Sequence, residues 1–407
     1  MGVRMVFVVF LGLGLAANAP AQTVLASDAF QQPLYAAVSA PARPRLAVDG
    51  DFLLWWLSGN PVPRLINSAL PTTDLAATLE AGGLSDPTAF TVYGGRRYSA
   101  NPMPGFRIGV GYLLDEERGL GLELSGLYVT PRVDTFRIAS DGTGNPPIIL
   151  TLREVFFPGF GPNDVETGGV FAGLFSAVPE GFLTGQAQVR STISLWGGEA
   201  NAFLRSYPTG AVTVDLLGGF RYLGMQDTLE ISASVTSAGN GATYDRFRVT
   251  NHFYGGQVGA RVNATYNRLT ASLATRIALG GTNQEFSISG NRILPEGVPD
   301  DGAPGGFYAV SSNLGNTSRN RLAFVPDVNV NLGYALTDHI HLTVGYTFLY
   351  WSSVGRSGDQ VDRNYNTGLN PVFGAGTDRS GPRFPARLDK GTDFWAQGIN
   401  LGLSLRY

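Results

Sequence analysis

The 407-residue chain has no cysteine, which excludes disulfide frameworks, thiolate metal sites and cysteine nucleophiles. Lys390 is its only lysine, and the remaining cations are arginines scattered along the chain. With a net charge of −3 and no basic cluster, a nucleic-acid partner is not expected. Charged residues make up 15% of the chain, against about 25% in typical soluble domains. No apolar run reaches the roughly 20 residues that a membrane-crossing helix needs. Phosphate-loop, nucleophile-elbow and zinc-helix motifs are missing as well.

Glycine, tyrosine and phenylalanine are abundant, at 54, 16 and 24 residues. Glycine and aromatics together suit twisted, tightly curved sheet rather than a helical protein. Near the start, Arg4 precedes an apolar stretch from Met5 to Ala17, and Ala19-Pro20-Ala21 follows as a small-x-small cleavage pattern. Residues 1–21 therefore read as a secretory signal peptide cut before Gln22, and 22–46 as a periplasmic leader. Residues 47–407 remain as a single domain.

The last nine residues carry the clearest pattern. Ile399, Leu401, Leu403, Leu405 and Tyr407 alternate with Asn400, Gly402, Ser404 and Arg406. Side chains alternate across a strand, so one face is wholly apolar and the other small or polar. An exported barrel is expected to close and insert through such a final strand, which makes those five apolar residues the closure signal.

The same period recurs upstream. Phe106 to Leu114 and Leu120 to Tyr128 flank a tight turn at Asp115-Glu116-Glu117. Three further hairpins turn at Ser206 to Gly210, near Asn267 and at Thr337-Asp338. Long connections are expected at 60–104, 130–185, 224–245, 280–320 and 353–392. The count is ten strands, four short turns and five long loops, with a hidden hairpin in either of the first two loops raising it to twelve. The expected fold is all-β, an antiparallel transmembrane barrel of 10–12 strands with short periplasmic turns and long extracellular loops. Apolar residues change parity past Gly197-Gly198 and past Gly255-Gly256. A β-bulge is expected at each, since one extra residue flips the faces of a strand.

Several stretches together resemble the planctomycete outer-membrane family called beta-barrel porin 7. They include Asp51-Phe52-Leu53-Leu54-Trp55-Trp56, Gly218-Gly219-Phe220-Arg221-Tyr222-Leu223, Asn251-His252-Phe253-Tyr254-Gly255-Gly256-Gln257 and Thr392-Asp393-Phe394-Trp395-Ala396-Gln397-Gly398. Asn331-Leu332-Gly333-Tyr334 and Val344-Gly345-Tyr346 belong to the same set. The resemblance covers most of the mature chain and implies an outer-membrane barrel, but little about a substrate.

With the apolar face outward, charge of both signs gathers on the inner face. The candidate lumen residues are Arg107, Glu123, Glu199, Asp215, Arg221, Arg261, Arg276 and Arg406, joined by Arg205 and Asp327. Two readings stand side by side: an ion-pair network that braces and partly fills the barrel, or an anion-selective lining in which arginine predominates. Ten to twelve strands lie between barrels filled by side chains and barrels with an aqueous channel, so small solutes are expected to pass slowly, if at all. Aromatics at strand ends, among them Tyr112, Tyr128, Trp196, Tyr222, Tyr334, Tyr346, Tyr350 and Trp395, fit interfacial girdles. His339-Ile340-His341 reads as a solvated turn rather than a metal or acid/base site, and Asp300-Asp301-Gly302 as a turn rather than a calcium site. Six phenylalanines between Val155 and Phe182 mark either a binding patch or a plug.

The functional expectation is an outer-membrane barrel with a porin-like or envelope-structural role, no catalysis and no cofactor. Its expected partners are outer-membrane lipid, the barrel-insertion machinery and further copies of itself. The rival is a surface recognition protein that displays long extracellular loops on a closed barrel.

Overall fold

The structure, a computed structural model, describes residues 45–68, 90–98, 102–141, 149–150, 154–156, 165–167, 184–206, 211–235, 241–294, 302, 304–369 and 381–407. The signal segment, nearly all of the leader, Asp300-Asp301 and most of the phenylalanine-rich stretch lie outside these residues.

Ten antiparallel strands close into a barrel. They are β1 (Leu46–Leu57), β2 (Met103–Asp115), β3 (Leu120–Asp141), β4 (Thr184–Arg205) and β5 (Val212–Val235). The second half is β6 (Ala242–Tyr266), β7 (Leu269–Ile293), β8 (Gly315–Ala335), β9 (Ile340–Gly355) and β10 (Gly391–Arg406). Each strand pairs with its chain neighbours, and β10 closes on β1 from Ala47 opposite Arg406 to Leu57 opposite Ala396. Among the described residues no helix is long and apolar enough to cross a membrane.

Ile399, Leu401, Leu403 and Tyr407 are exposed, Leu405 shares their parity, and Asn400 and Ser404 are buried on the other side. The closing strand thus turns its apolar face outward. So do Phe106, Ile108 and Val110 on β2, Leu122 and Leu124 on β3, Val258 and Val262 on β6, and Val328, Val330 and Leu332 on β8. These residues form an exposed apolar belt around the short-turn end of the barrel, as a lipid-facing wall requires. The four short turns fall where the sequence puts them.

Strands β5, β6 and β7 run 24, 25 and 25 residues, well past the belt. This corrects the expected connection at 224–245. β5 and β6 pair continuously from Val212 opposite Ala264 to Ser234 opposite Ala242, which leaves only residues 236–241 as the link. Among the described residues no additional hairpin joins the wall. Short strands at Asn60–Val62, Ile66–Ser68, Phe90–Tyr93 and Arg96–Tyr98 form small separate sheets.

The two expected bulges are absent. Gly197 and Gly198 sit in unbroken register with Leu223 and Tyr222, and Gly255 and Gly256 with Gly280 and Leu279. What changes is the content of the inner face. Ile193 and Leu195, and likewise Phe247, Val249 and Phe253, point into the bore and are buried there. The register does shift on β3, where Ile193 pairs with Arg132 but Leu195 pairs with Val129. The additional residue lies at Thr130-Pro131. Proline lacks an amide donor, and a bulge is one of the few places where a strand accepts it.

A second proline shapes the wall between β8 and β9. Their pairing begins at Asp327 opposite Leu349 and ends at Ala335 opposite His341, although β8 stays paired to β7 as far as Gly315. Pro326, the next residue up, has no N–H to continue the ladder. Above it β9 leaves β8 and bends inward. The Ser353 carbonyl accepts from the Gln284 amide at 2.6 Å, and Asn251 bonds both the N–H and the C=O of Gly355, at 2.7 and 3.0 Å.

Candidate functional site

The bore is the candidate site, and its contents come in layers. Nearest the short turns is a charged layer built from alternate positions of β1 to β8. Glu199 on β4 receives Arg221 at 2.9 Å and Arg276 at 3.0 Å. Asp327 on β8 receives the same two arginines, at 2.5 and 2.9 Å. The four side chains thus form a closed square of alternating charge, with Arg221 and Asp327 buried. Further round, Arg261 bridges Glu123 at 2.6 Å and Asp215 at 3.5 Å, and Arg205 also holds Asp215, at 3.0 Å. Gln257 and Asn201 link the two groups, because Gln257 donates to Glu199 and Asn201, and Asn201 donates to Glu123. Arg107 pairs separately with Asp51 at 2.7 Å.

Seven of the eight sequence candidates therefore sit in close ion pairs on the inner face. Arg406 is inward too, within electrostatic reach of Asp49 and Arg205 but outside the close ion pairs formed by the others. Strand parity alone predicted this gathering, since every member stands opposite the belt. Asp51, the partner of Arg107, is a further member outside the sequence candidates.

Above the charges lies an apolar layer across the bore. Leu53, Trp55, Leu195, Met225, Phe253, Val325, Trp351 and Phe394 are all nearly or fully buried and pack as one cluster. Trp351 meets Phe253 and Phe394 edge-on, and its indole N–H donates to Thr282 at 2.9 Å. Each such side chain contributes about 1.5–3 kcal/mol on removal from water. A water column through this layer would forgo those contributions.

Next comes a polar knot where the inward bend of β9 continues. Arg356 donates to Asp227 at 2.7 Å and to the Ser58 carbonyl at 3.1 Å. Ser357 and Asn60 both donate to Asp227, and Asn60 accepts from Gly358 N–H. Three distant segments, the end of β1, the middle of β5 and the stretch after β9, are tied together inside the barrel. Nothing in the sequence marks Arg356 or Asp227 as partners.

A second apolar cluster caps the knot. Phe247, Ile231 and Ile288 from the wall meet Phe307, Tyr308 and Ala309 from the β7–β8 connection and Tyr365 from the stretch before β10. Asp245, fully buried at this level and beyond the apolar belt, accepts from the N–H of Phe307 at 3.1 Å and of Ala309 at 2.9 Å. Burial pushes its carboxyl up to about 7, against the pull of these backbone donors.

Elsewhere, His339 stacks on Tyr407 in an exposed turn, and no group of residues suited to a metal ion occurs among the described residues. The girdle aromatics share outward parity, with Tyr112, Tyr334 and Tyr346 exposed.

A closed ten-stranded barrel with an apolar outer belt and a charged inner face is a porin-like outer-membrane barrel. Residues 48–407 match the family model described as Putative beta barrel porin-7 (BBP7), and the chain belongs to that family. No curated protein matches the chain. Among solved structures it is similar to the outer membrane protease OmpT from Escherichia coli, with 10% identity over 89% of this chain and 97% of that one, at a TM-score of 0.41. It is also similar to a Pseudomonas aeruginosa FadL homologue (8% identity, 89% and 90% covered, TM-score 0.23). An anion-selective porin from Comamonas acidovorans is a third (10% identity, 89% and 98% covered, TM-score 0.19).

Proposed function

We propose that this porin-family barrel serves mainly as an envelope-structural element whose bore is closed at rest, exported through a cleaved signal and without catalytic activity. One observation carries the reading: the bore is crossed by a continuous apolar layer, centred on Trp351, Phe253 and Phe394, above a charged layer whose cations are matched by carboxylates. An anion-selective lining would need arginines that face water, whereas Arg221 is buried between Glu199 and Asp327. The inward-turned connections also argue against a pedestal for display, since Phe307, Tyr308 and Arg356 are buried inside the barrel.

Liposome swelling is a suitable test. Vesicles containing the folded barrel are expected to swell in small sugars and amino acids at the rate of protein-free vesicles. Swelling at the rate of an open porin would overturn the reading.

A further inference from the structure

The outer wall carries a second site unrelated to the bore. At the upper rim of the apolar belt Trp196, Tyr222 and His252 stand side by side on β4, β5 and β6. The Trp196 indole donates to the Tyr222 hydroxyl at 3.2 Å, which meets His252 Nδ1 at 2.9 Å. Beneath them a groove of about 500 Å³ runs over Gly126 and Gly198 between the side chains of Leu124 and Phe220. Above them the outward positions of β3 to β6 hold Arg137, Arg190, Arg246 and Arg248, with Glu230 among them and Glu285 on the adjoining face of β7. Glu230 is shared between Arg190 at 3.9 Å and Arg246 at 3.5 Å. Arg248 stands directly opposite Thr228 and Ser287, with Glu230 and Glu285 diagonal to it, and its Nε has no hydrogen-bond partner. Among the described residues the outward faces of the other six strands carry no arginine or lysine above the belt.

Charge, aromatic collar and groove thus coincide on one sector. We propose that this sector binds an outer-leaflet lipid with a phosphorylated saccharide headgroup. Acyl chains would lie in the glycine-floored groove, the Trp196–Tyr222–His252 collar would meet the headgroup's polar edge, and the arginines would take its phosphates. Guanidinium groups suit this task because their planar donor forks match phosphate oxygens.

Height selects the headgroup. Arg248 lies four residues beyond His252 and Arg246 six, which at about 3.3 Å per residue and a tilt of about 40° is about 10 and 15 Å above the collar. A simple phosphodiester layer is only about 5–7 Å deep. A phosphorylated saccharide reaches the arginines and a phosphodiester does not.

Native mass spectrometry of the purified barrel, exchanged with lipid A, phosphatidylglycerol or phosphatidylcholine, tests this. Lipid A adducts are expected to survive at least tenfold better than phosphatidylcholine adducts and better than phosphatidylglycerol. The triple variant R190Q/R246Q/R248Q should fall to the phosphatidylcholine level, with heat-modifiable migration confirming its fold. Should the triple variant not fold, Arg248→Gln alone is expected to remove most of the preference. Equal retention of lipid A and phosphatidylcholine, or variants that hold lipid A as the parent does, would overturn the proposal. Phosphatidylglycerol retained as well as lipid A would overturn the headgroup assignment.

Discussion

Arg356 and Asp227 meet at 2.7 Å inside the barrel, both fully buried, although 129 residues separate them. A buried pair of this kind contributes little by itself, but removing one partner strands the other. Asp227→Asn is therefore expected to cost about 3–5 kcal/mol. The check is the urea midpoint of unfolding, followed by loss of heat-modifiable migration. A midpoint equal to the parent's would show that the inward bend after β9 is held by other contacts.

The Glu199–Arg221–Asp327–Arg276 square makes a different prediction. Asp327→Leu leaves two arginines sharing one carboxylate and is expected to destabilise by about 3 kcal/mol or more. Adding Arg276→Leu should recover part of the loss, because charge balance returns and the site becomes apolar. A double variant no better than the single would mean that the square acts through its hydrogen bonds rather than its charge.

Asp245 gives a pH dependence. Its folded-state value, raised to about 7 by burial, lies above the ordinary carboxylate value of 3.8. The folded state therefore holds a proton that the unfolded state releases. This contribution is complete below about pH 4 and disappears as pH rises through about 7. Tyr365 shares its surroundings, but burial raises its hydroxyl, so it stays protonated in that window. Stability should fall between pH 5 and pH 8 in the parent and change less in Asp245→Asn. Identical pH profiles would remove Asp245 as the cause.

The seam above Pro326 is open to hydrogen exchange. From Gly315 to Pro326, β8 pairs with β7 but not with β9, whereas β6 is paired on both sides. Amides of Asn316, Ser318, Asn320 and Leu322 are expected to exchange much faster than those of Phe247, Val249 and Asn251. Comparable protection would indicate that β9 re-pairs with β8.

The sequence showed the wall more clearly than the bore. Ile399 to Tyr407 and the eight inner charges were legible because lipid forces one face of each strand to be apolar, and period two then fixes the other face. Period two does not say which apolar face is outward once the strand rises past the belt. Ile193, Leu195, Phe247 and Phe253 therefore mimic a switch of strand face, when the interior itself becomes apolar. The same continuation made 224–245 look like a loop. Arg356, Asp227 and Asn251 carried no signal, because a contact formed by folding a connection back into a barrel leaves no periodicity in the chain.

The most direct measurement is single-channel conductance in a planar bilayer, comparing the parent, beginning at Gln22, with a Trp351→Ala/Phe253→Ala/Phe394→Ala variant. Insertion is confirmed by protease protection in both. The closed-bore account predicts a silent parent, and discrete openings once the apolar layer is removed. Large, steady conductance from the parent would contradict it.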